Sequence, residues 1–407
     1  MESAKPSPSP LPHRTEQAAE GPLPTVRPGR PKQECRRALV FRYGQIGDTI
    51  VALPALWAIR HSLPAAHLTL LSDAPLSGRH LGPEQVLPPT ALIDEFARYE
   101  LPAGSGSLRS IFRSIREIRA GRYDTLFYLA PSGRSPARRR RDLVFFRLAG
   151  ISRFIAHRGF NTPEPRAPGR PLPPVEHEAD ALLRRLELAG LAVPPPGKGC
   201  MDLRITSQER LQASEWWRRT AGAPPARSTW FATGVGGKAP SQIWPLEYYK
   251  AVGRTLIDQF DLTPVIFGGT EDAAAAGGLI AAWGRGYCAA GSLSVRQAAA
   301  AMSDALFYLG NDTGTMHLAA AAGVPCVAIF SARNEPGRWH PYGAGHHVLR
   351  LSPPCEACER QVCNRNLECL RGISPETVFQ CCAAVVRAAR ANPGGRRTPP
   401  PAAAPAP

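Results

Sequence analysis

The sequence predicts an α/β protein made of two doubly wound halves that face each other across a cleft. From residue 38 to residue 391, short apolar runs alternate with segments of helical periodicity. Repeated strand-then-helix units of this kind form a parallel sheet covered by helices on both faces. A proline-rich break at 193–198, VPPPGK, divides the pattern in two. With 407 residues, 43% of them hydrophobic, the chain is long enough to bury two cores.

The two ends of the chain differ in composition from the patterned region. Residues 1–34 and 393–407 are rich in proline and lack hydrophobic periodicity, which predicts disordered tails. Between them we expect an N-terminal Rossmann-like domain over 35–195 and a C-terminal Rossmann-like domain over 196–392.

The overall charge favours anionic partners. The net charge is +16 and the pI is about 9.9, which suits phosphorylated sugars, nucleotides or anionic lipid surfaces. Only 7% of the residues are aromatic, and no aromatic–basic recognition module is visible, so nucleic acid is not expected as a partner. No apolar run reaches 18 residues, and the first 34 residues lack the apolar region of a signal peptide. We therefore expect a cytoplasmic protein, with peripheral contact to the cell membrane left open.

Hydrophobic patterning places the elements of the first half. Apolar runs predict strands at 38–43, 67–72, 123–129 and 153–157. Helical spacing of apolar side chains predicts helices at 108–120 and 179–189. A run of four arginines, 138–141, follows the third strand. It indicates either a solvated face or a basic patch for a phosphorylated acceptor or an anionic membrane.

The second half repeats the alternation. Predicted strands cover 229–233, 264–268 and 287–290, and predicted helices cover 246–259, 272–283 and 294–303. Thr206 and Glu209 have the spacing of a capping box that opens a helix reaching 219. Ser374 and Pro375 have the residue types that open a closing helix.

The stretch 310–317, GNDTGTMH, is predicted to bind an anion. It lies between apolar runs at 305–309 and 324–330 and precedes a small-residue helix at 318–322. Backbone N–H groups of Thr313, Gly314 and Thr315 would lie at a helix N-terminus, where unsatisfied donors and the helix dipole favour phosphate. Asp312 is a suitable N-cap, and His317 lies one turn along. The alternative is a capped helix with a half-buried histidine.

A second glycine-containing turn lies at 44–48, between the first strand and the first helix. Its sequence, GQIGD, is neither a dinucleotide fingerprint nor a P-loop. Gly44 and Gly47 provide backbone freedom, and Gly47 would allow backbone to approach a ligand closely. Asp48 would cap the helix and face the cleft, although a cap with no further role is the alternative. Pro54 should kink this helix or restart it.

Four ordered motifs give the chain a family resemblance. They are ALVFRYGQIGDTIVALPALWAIRHSLPAAHLTLL, GVGGKAPSQIWPLEYY, VIFGGTED and LFYLGNDTGTMHLAAAAGVPCVAIF. In these motifs, over roughly 38–391, the chain resembles the heptosyltransferase family of glycosyltransferases, family nine, whose best-known members are ADP-heptose:lipopolysaccharide heptosyltransferases. The resemblance implies the GT-B architecture and sugar transfer with inversion at the anomeric centre. It also implies that no metal or cofactor is needed.

The resemblance also assigns roles to individual residues. Asp48 matches the catalytic aspartate, which deprotonates the acceptor hydroxyl. Thr313 and Gly314 match the cradle of the donor diphosphate. Further residues that match the donor pocket are Glu271, on the nucleoside side, and Asp312 and His317.

One position departs from the family pattern. The family has a lysine two residues before the Trp-Pro pair, and here Gln242 occupies that position. Lys238, on a glycine-containing loop, could supply the missing charge to the donor phosphates. Arg333 and Arg338, after the strand at 324–330, are the alternatives.

The predicted function follows from these motifs. We expect a glycosyltransferase that moves a heptose-like sugar from a nucleotide diphosphate donor, an ADP-sugar by resemblance, to a lipopolysaccharide-type or other glycan acceptor. The alternative is a non-catalytic nucleotide-sugar-binding protein of the same fold, favoured by Gln242.

A cysteine cluster near the C-terminus has no assigned role. Cys355, Cys358, Cys363 and Cys369 have the spacing C-x2-C-x4-C-x5-C. This spacing is compatible with a structural zinc, with an iron–sulfur cluster, or with reduced or disulfide-prone thiols, and the last is the expectation in a reducing cytoplasm.

Overall fold

A computed structural model describes residues 35–73, 81–99, 108–161 and 170–392 of the chain. The predicted tails, 1–34 and 393–407, lie outside the described residues. The predicted fold class is confirmed, because the described chain forms two parallel β-sheets with helices packed on them.

The first sheet has five parallel strands in the order β3-β2-β1-β4-β5. Its strands are β1 (Arg37–Phe41), β2 (His67–Asp73), β3 (Glu95–Tyr99), β4 (Thr125–Tyr128) and β5 (Arg153–Ile155). Its helices are α1 (Ile46–Val51), α2 (Leu53–Ser62), α3 (Leu108–Ala120), α4 (Pro136–Leu148) and α5 (Glu178–Glu187). Val40 of the central strand β1 pairs with Leu70 on one side and Phe127 on the other. All three are buried, as expected of a parallel sheet covered on both faces.

The second sheet has six parallel strands in the order β11-β10-β9-β6-β7-β8. Its strands are β6 (Trp230–Gly234), β7 (Thr263–Ile266), β8 (Tyr287–Cys288), β9 (Tyr308–Asn311), β10 (Cys326–Phe330) and β11 (His347–Arg350). Its helices are α6 (Ser207–Ala221), α7 (Leu246–Phe260), α8 (Ala273–Trp283), α9 (Val295–Met302), α10 (Gly314–Ala321), α11 (Glu368–Arg371) and α12 (Pro375–Ala391). From β6 the chain adds strands β7 and β8 on one side, and then β9, β10 and β11 on the other side. A parallel α/β sheet opens a crevice at its carboxyl edge at such a switch point, here between β6 and β9.

Capping residues and proline in the sequence predicted where two of the helices begin. Thr206 Oγ1 accepts from the Glu209 backbone N–H at 3.2 Å, and Glu209 accepts from the Thr206 N–H at 2.8 Å. The predicted capping box is therefore confirmed. The first helix ends at Val51 and α2 begins at Leu53 with Pro54 at its second position, so the predicted break is also present.

Two edge strands and two helices were not predicted. The strands β3, EFARY, and β11, HVLR, mix polar and apolar side chains on both faces, because an edge strand keeps one side in water. The helix α4 was masked by its arginine run, and α11 has only four residues.

Direct packing joins the two halves. One hydrophobic cluster runs through both and includes Trp57 of α2, Trp217 of α6 and Met316 of α10. Within the first half α5 packs on α2, within the second half α6 packs on α9, and between the halves α1 packs on α10. The contact between α1 and α10 brings the two predicted glycine-containing turns together. The domain boundary at 195/196 stays a prediction.

Candidate active site

A cavity of about 980 Å³ lies between the two halves. The glycine turn before α1 lines one side, and the loops after β6, β7, β9 and β10 line the other. Nine of the ten predicted site residues lie in its wall: Gly47, Asp48, Lys238, Gln242, Glu271, Asp312, Thr313, Gly314 and His317. The tenth, Gly44, is not among the lining residues. Residues as far apart in the sequence as Asp48 and Thr313, 265 positions, thus line one cavity.

The two glycine turns approach each other too closely for side chains. A Cβ on Gly47 would lie 2.9 Å from His317 Cδ2, and a Cβ on Gly314 would lie 3.1 Å from Ile46 Cβ. The close approach expected of Gly47 is therefore to the opposite half of the protein. Gly44 has φ +123°, and a Cβ there would lie 2.5 Å from Asp48 Cγ, so Gly44 leaves room for the aspartate side chain.

The predicted capping role of Asp48 is wrong in position. Gln45 is the N-cap of α1, and Asp48 is the third helical residue. Its Oδ2 accepts from the Gln45 backbone N–H at 2.9 Å, which is the arrangement of the acidic partner in a capping box. The other carboxylate oxygen, Oδ1, lies 3.7 Å from Arg42 Nη2. Asp48 is 27% exposed, within the cavity wall.

The surroundings of Asp48 favour a proton acceptor. Burial raises the pKa of the Asp48 carboxyl above its ordinary value, and the neighbouring Glu178 carboxylate acts in the same direction. The charge of Arg42 and the Gln45 N–H oppose this rise in pKa. A carboxylate with a raised pKa is a stronger base.

Asp312 was predicted to be the N-cap of the next helix, and this is also wrong. Thr313 occupies the N-cap position of α10, with an extended φ of −147° and no side-chain cap. Its hydroxyl instead bonds the Thr315 hydroxyl at 2.8 Å, which in turn bonds Tyr308 at 2.8 Å. The first turn of α10 therefore has no side-chain cap, and Thr313, Gly314 and Thr315 line the cavity.

Burial changes the ionisation of the next two site residues. The Asp312 side chain is only 9% exposed, and burial raises its pKa to about 7, against the Asn334 hydrogen bond and the charge of Arg333. His317 is 4% exposed, and burial lowers its pKa to about 3. His317 is thus neutral at pH 7. The 4.0 Å separation of its Nε2 from Asp312 Oδ1 is then not an ion pair.

The site lacks the family's lysine, and the cations that could replace it differ in exposure and in their hydrogen-bond partners. Gln242 is buried and donates from Nε2 to the Asp312 carbonyl at 3.4 Å. Lys238 is exposed in the cavity wall. Arg333 also lines the cavity and donates to the Glu359 carbonyl at 2.9 Å, while its buried Nε lacks a partner among the described residues. Arg338 instead pairs with Glu335 at 2.9 Å and is not among the lining residues.

Asp272 is a further site residue, which was not predicted from the sequence. Its side chain contacts two glycine-containing loops. It lines the cavity next to Glu271 and accepts from the Gly269 N–H at 3.0 Å. A Cβ on Gly236 or Gly268 would lie within 2.0 Å and 2.3 Å of its carboxylate oxygens. The glycine pairs in GVGG and FGGTED were the available signal, because a carboxylate can contact backbone this closely only where glycine leaves space.

The four clustered cysteines converge in the fold. Cys355, Cys358, Cys363 and Cys369 line one small cavity that also touches Arg333. All four are free thiols. Over the described ranges, no group of three or more His, Cys, Asp or Glu side chains is arranged to hold a metal ion. The three alternatives for this cluster stay predictions.

The fold and the site define the class of protein. Two parallel-sheet α/β halves about a cleft form the GT-B architecture. The structure of a glycosyl transferase family 9 protein from Veillonella parvula DSM 2008 is similar, with a TM-score of 0.64 at 22% identity, covering 87% of this chain and 97% of that one. E. coli ADP-heptose lps heptosyltransferase II has a TM-score of 0.58 at 18% identity, covering 87% and 99%. E. coli heptosyltransferase WaaC with ADP has a TM-score of 0.58 at 16% identity, covering 86% of this chain and 99% of that one.

The family model of glycosyltransferase family 9 (heptosyltransferase) matches residues 209–367. The predicted resemblance to the heptosyltransferases is thereby confirmed, and the protein is a glycosyltransferase. The matched range contains the loops around Lys238, Glu271 and Thr313, whereas Asp48 lies outside it. A comparison with curated proteins gave no match. Within the described ranges, every helix is too short or too polar to cross a bilayer.

Proposed function

We propose that this protein is an inverting, metal-independent glycosyltransferase. It moves a heptose-like sugar from a nucleotide diphosphate donor, with ADP as the favoured nucleotide, to a lipopolysaccharide-type or other glycan acceptor. One observation carries the proposal: the Asp48 carboxyl and the N-terminus of α10 lie in the wall of the same 980 Å³ cavity. A base and an anion site on opposite halves are what in-line displacement of a nucleotide diphosphate requires.

In this mechanism Asp48 acts on the acceptor. Its carboxylate accepts the proton of an acceptor hydroxyl as that oxygen attacks the anomeric carbon. The nucleotide diphosphate leaves from the opposite face, so the configuration at this carbon inverts. The raised pKa of Asp48 strengthens it as a base for this step.

The second half acts on the donor. The backbone N–H groups at the start of α10 and its dipole stabilise the negative charge that develops on the leaving diphosphate. Lys238 and Arg333 supply positive charge in place of the family's lysine, since the buried Gln242 is uncharged and bonds the Asp312 carbonyl. The exposed Glu271 carboxylate lies at the cavity wall, where it can accept hydrogen bonds from ribose hydroxyls.

The experiment is donor turnover by wild type and Asp48→Asn. ADP-heptose and other nucleotide diphosphate sugars are offered with a lipopolysaccharide-derived acceptor, and nucleotide release is followed by chromatography. We expect Asp48→Asn to lose about 10²- to 10⁴-fold in transfer, since it removes a general base, while donor affinity is retained. The matched control is Asp258→Asn, an exposed aspartate on α7, which should transfer like wild type. Equal rates for Asp48→Asn and wild type would remove Asp48 from the proposed role.

The second candidate is a nucleotide-sugar-binding protein without transfer. Gln242 favours it, because the position lacks the charge that the family places there. This candidate predicts that wild type binds a nucleotide diphosphate sugar but releases no nucleotide with any acceptor tested.

We further propose a cytoplasmic enzyme that touches an anionic membrane surface through α3 and α4. These helices carry nine arginines and two carboxylates. Their outward faces also expose Phe112, Val144 and Leu148, each more than half accessible. Arginines beside exposed apolar side chains suit the interface of an anionic bilayer, where a lipid-linked acceptor would be found.

A further inference from the structure

Arg42 is a buried arginine that hydrogen-bonds the helix turn carrying Asp48. It follows β1 directly and is 3% exposed. Its Nε and Nη2 both donate to the Asp48 carbonyl, at 3.2 Å and 2.9 Å. Its Nη2 also lies 3.7 Å from Asp48 Oδ1. The guanidinium thus holds the backbone of Asp48 with a two-donor fork and places a positive charge beside its carboxylate.

Glu178 balances the charge of Arg42. Its side chain is fully buried, and its Oε1 accepts from Arg42 Nη1 at 3.2 Å. Both of its carboxylate oxygens accept from the Ser132 backbone N–H at 3.1 Å. Arg42 Nη1 also donates to the Leu129 carbonyl at 3.0 Å. Burying two charges is costly unless their remaining donors and acceptors are satisfied, and here the loop after β4 satisfies them.

The same glutamate is tied to the opposite half of the protein. The Glu178 backbone N–H donates to the Arg338 carbonyl at 3.0 Å. Two residues of the segment before it make parallel contacts: Val175 N–H donates to the Pro336 carbonyl at 2.8 Å, and His177 Nε2 lies 2.9 Å from the His340 carbonyl. The loop after β10, which carries Arg333 into the cavity, therefore continues into a direct contact with the partner of Arg42.

We propose that Arg42 is the positioning residue of Asp48 and that Glu178 is its counter-charge, so that the pair sets both the orientation of the base and the pH at which it ionises. This inference rests on the proposed function, in which Asp48 is the base. Neither residue lines the cavity, so both act through Asp48 and do not contact substrate.

Opposite charges make the inference testable. Arg42 lowers the pKa of the Asp48 carboxyl, and Glu178 raises it. The other groups that face Asp48 are Lys238, which lowers its pKa, Asp312 across the cavity, and His317, which is neutral. Because these three are unchanged in variants of the buried pair, removing Arg42 should raise the Asp48 pKa and removing Glu178 should lower it.

The experiment measures the Asp48 carboxyl directly. Protein labelled with ¹³C at the aspartate Cγ is titrated by NMR, and the Asp48 signal is assigned by its loss in Asp48→Asn. We expect Arg42→Met to move the midpoint to higher pH and Glu178→Gln to move it to lower pH. Arg60→Met, which removes the arginine of a separate pair with Asp94, is the control and should not move it. Shifts in the same direction, or none, overturn the inference.

A second variant separates charge from geometry and covers a failure of Arg42→Met to fold. Arg42→Lys keeps the positive charge but loses the two-donor fork. It should leave the Asp48 midpoint near that of wild type while kcat falls by about tenfold or more, since small misplacement of a base is costly, with donor KM unchanged. An unchanged kcat in Arg42→Lys also overturns the positioning role. If opposite NMR shifts appear but wild type transfers no sugar, the proposed function fails and the buried pair still sets the ionisation of Asp48.

Discussion

At the scale of single residues, the cavity combines groups whose ionisation is set by burial. Asp48 and Asp312 are carboxyls on opposite sides of the cavity, and both have a raised pKa. His317, in α10, lies against Gly47 of the other turn and is held neutral. Burial therefore opposes charge on all three side chains, and the position of the family's lysine holds the buried, uncharged Gln242.

The affinity for a nucleotide diphosphate should depend on the ionisation of Asp312, and so on pH. Asp312 has a pKa of about 7, so it is mostly protonated below pH 7 and carries a negative charge above it. That charge would lie beside the donor diphosphate and weaken its binding. We expect the Kd of a nucleotide diphosphate, measured by calorimetry, to increase as pH rises through 7, by roughly tenfold or less. Asp312→Asn should flatten this dependence, and a dependence of unchanged steepness in that variant would contradict it.

The second residue-scale prediction concerns the missing lysine. If Lys238 supplies the charge, Lys238→Ala should weaken nucleotide diphosphate binding by about tenfold, the usual effect of one charge-assisted hydrogen bond. Lys250→Ala, an exposed lysine on α7, is the matched control. Unchanged affinity in Lys238→Ala together with a loss in Arg333→Ala would assign the charge to Arg333. No loss in either variant would remove both residues from the donor site.

At the scale of elements, the sequence predicted strand–turn–helix units better than the residues that cap them. The order of elements around 44–48 and 310–317 followed from apolar runs and glycines. The caps were wrong by a few positions, because Asp48 acts from inside its helix and the N-cap Thr313 makes no side-chain cap bond. Both aspartates are preferred cap types, so residue type alone could not show that the fold uses them elsewhere.

The contact between α1 and α10 yields the element-scale prediction. A methyl group at Gly47 would lie 2.9 Å from His317 Cδ2 in a buried contact between the halves. We expect Gly47→Ala to lower the free energy of unfolding by about 1–3 kcal/mol through overpacking and to lower transfer activity. Urea denaturation followed by circular dichroism measures the first effect.

A helical glycine provides the control for this prediction. Gly278 lies in α8, and a Cβ added there would meet nothing within 4 Å. Gly278→Ala should therefore raise the free energy of unfolding by about 0.4–1 kcal/mol. If both variants changed stability alike, the close approach of the two turns would not be limiting.

At the scale of the whole molecule, the site exists only where the two halves meet. Asp48 and Thr313 are far apart in the chain, and periodicity cannot report the distance between two sheets. The family resemblance predicted their meeting, whereas Arg42 and Glu178 carried no sequence signal of their own. A buried ion pair joins residues 136 positions apart, and such a partner is visible only after folding.

The outer surface of α3 and α4 gives the last prediction. Arg138, Arg140 and Arg141 are exposed, whereas Arg139 packs on the Phe160 ring at 4.2 Å. The variant should therefore change the first three to Ser and leave Arg139 in place. Each arginine near an anionic bilayer contributes about 1 kcal/mol, so vesicles containing anionic lipid should bind the variant about a hundredfold more weakly at low salt. Cosedimentation with vesicles measures this.

The control must change the same charge elsewhere. Arg210, Arg218 and Arg219 are exposed on α6, and their triple replacement by Ser removes the same three charges. If attraction depended only on the net charge of +16, both variants would weaken vesicle binding equally. Because α4 also exposes Val144 and Leu148, we expect its variant alone to show the large loss. Adding Val144→Ser should weaken binding further at high salt, where screening leaves the apolar contribution. Unchanged binding in the α4 variant at low salt would remove this surface from membrane contact.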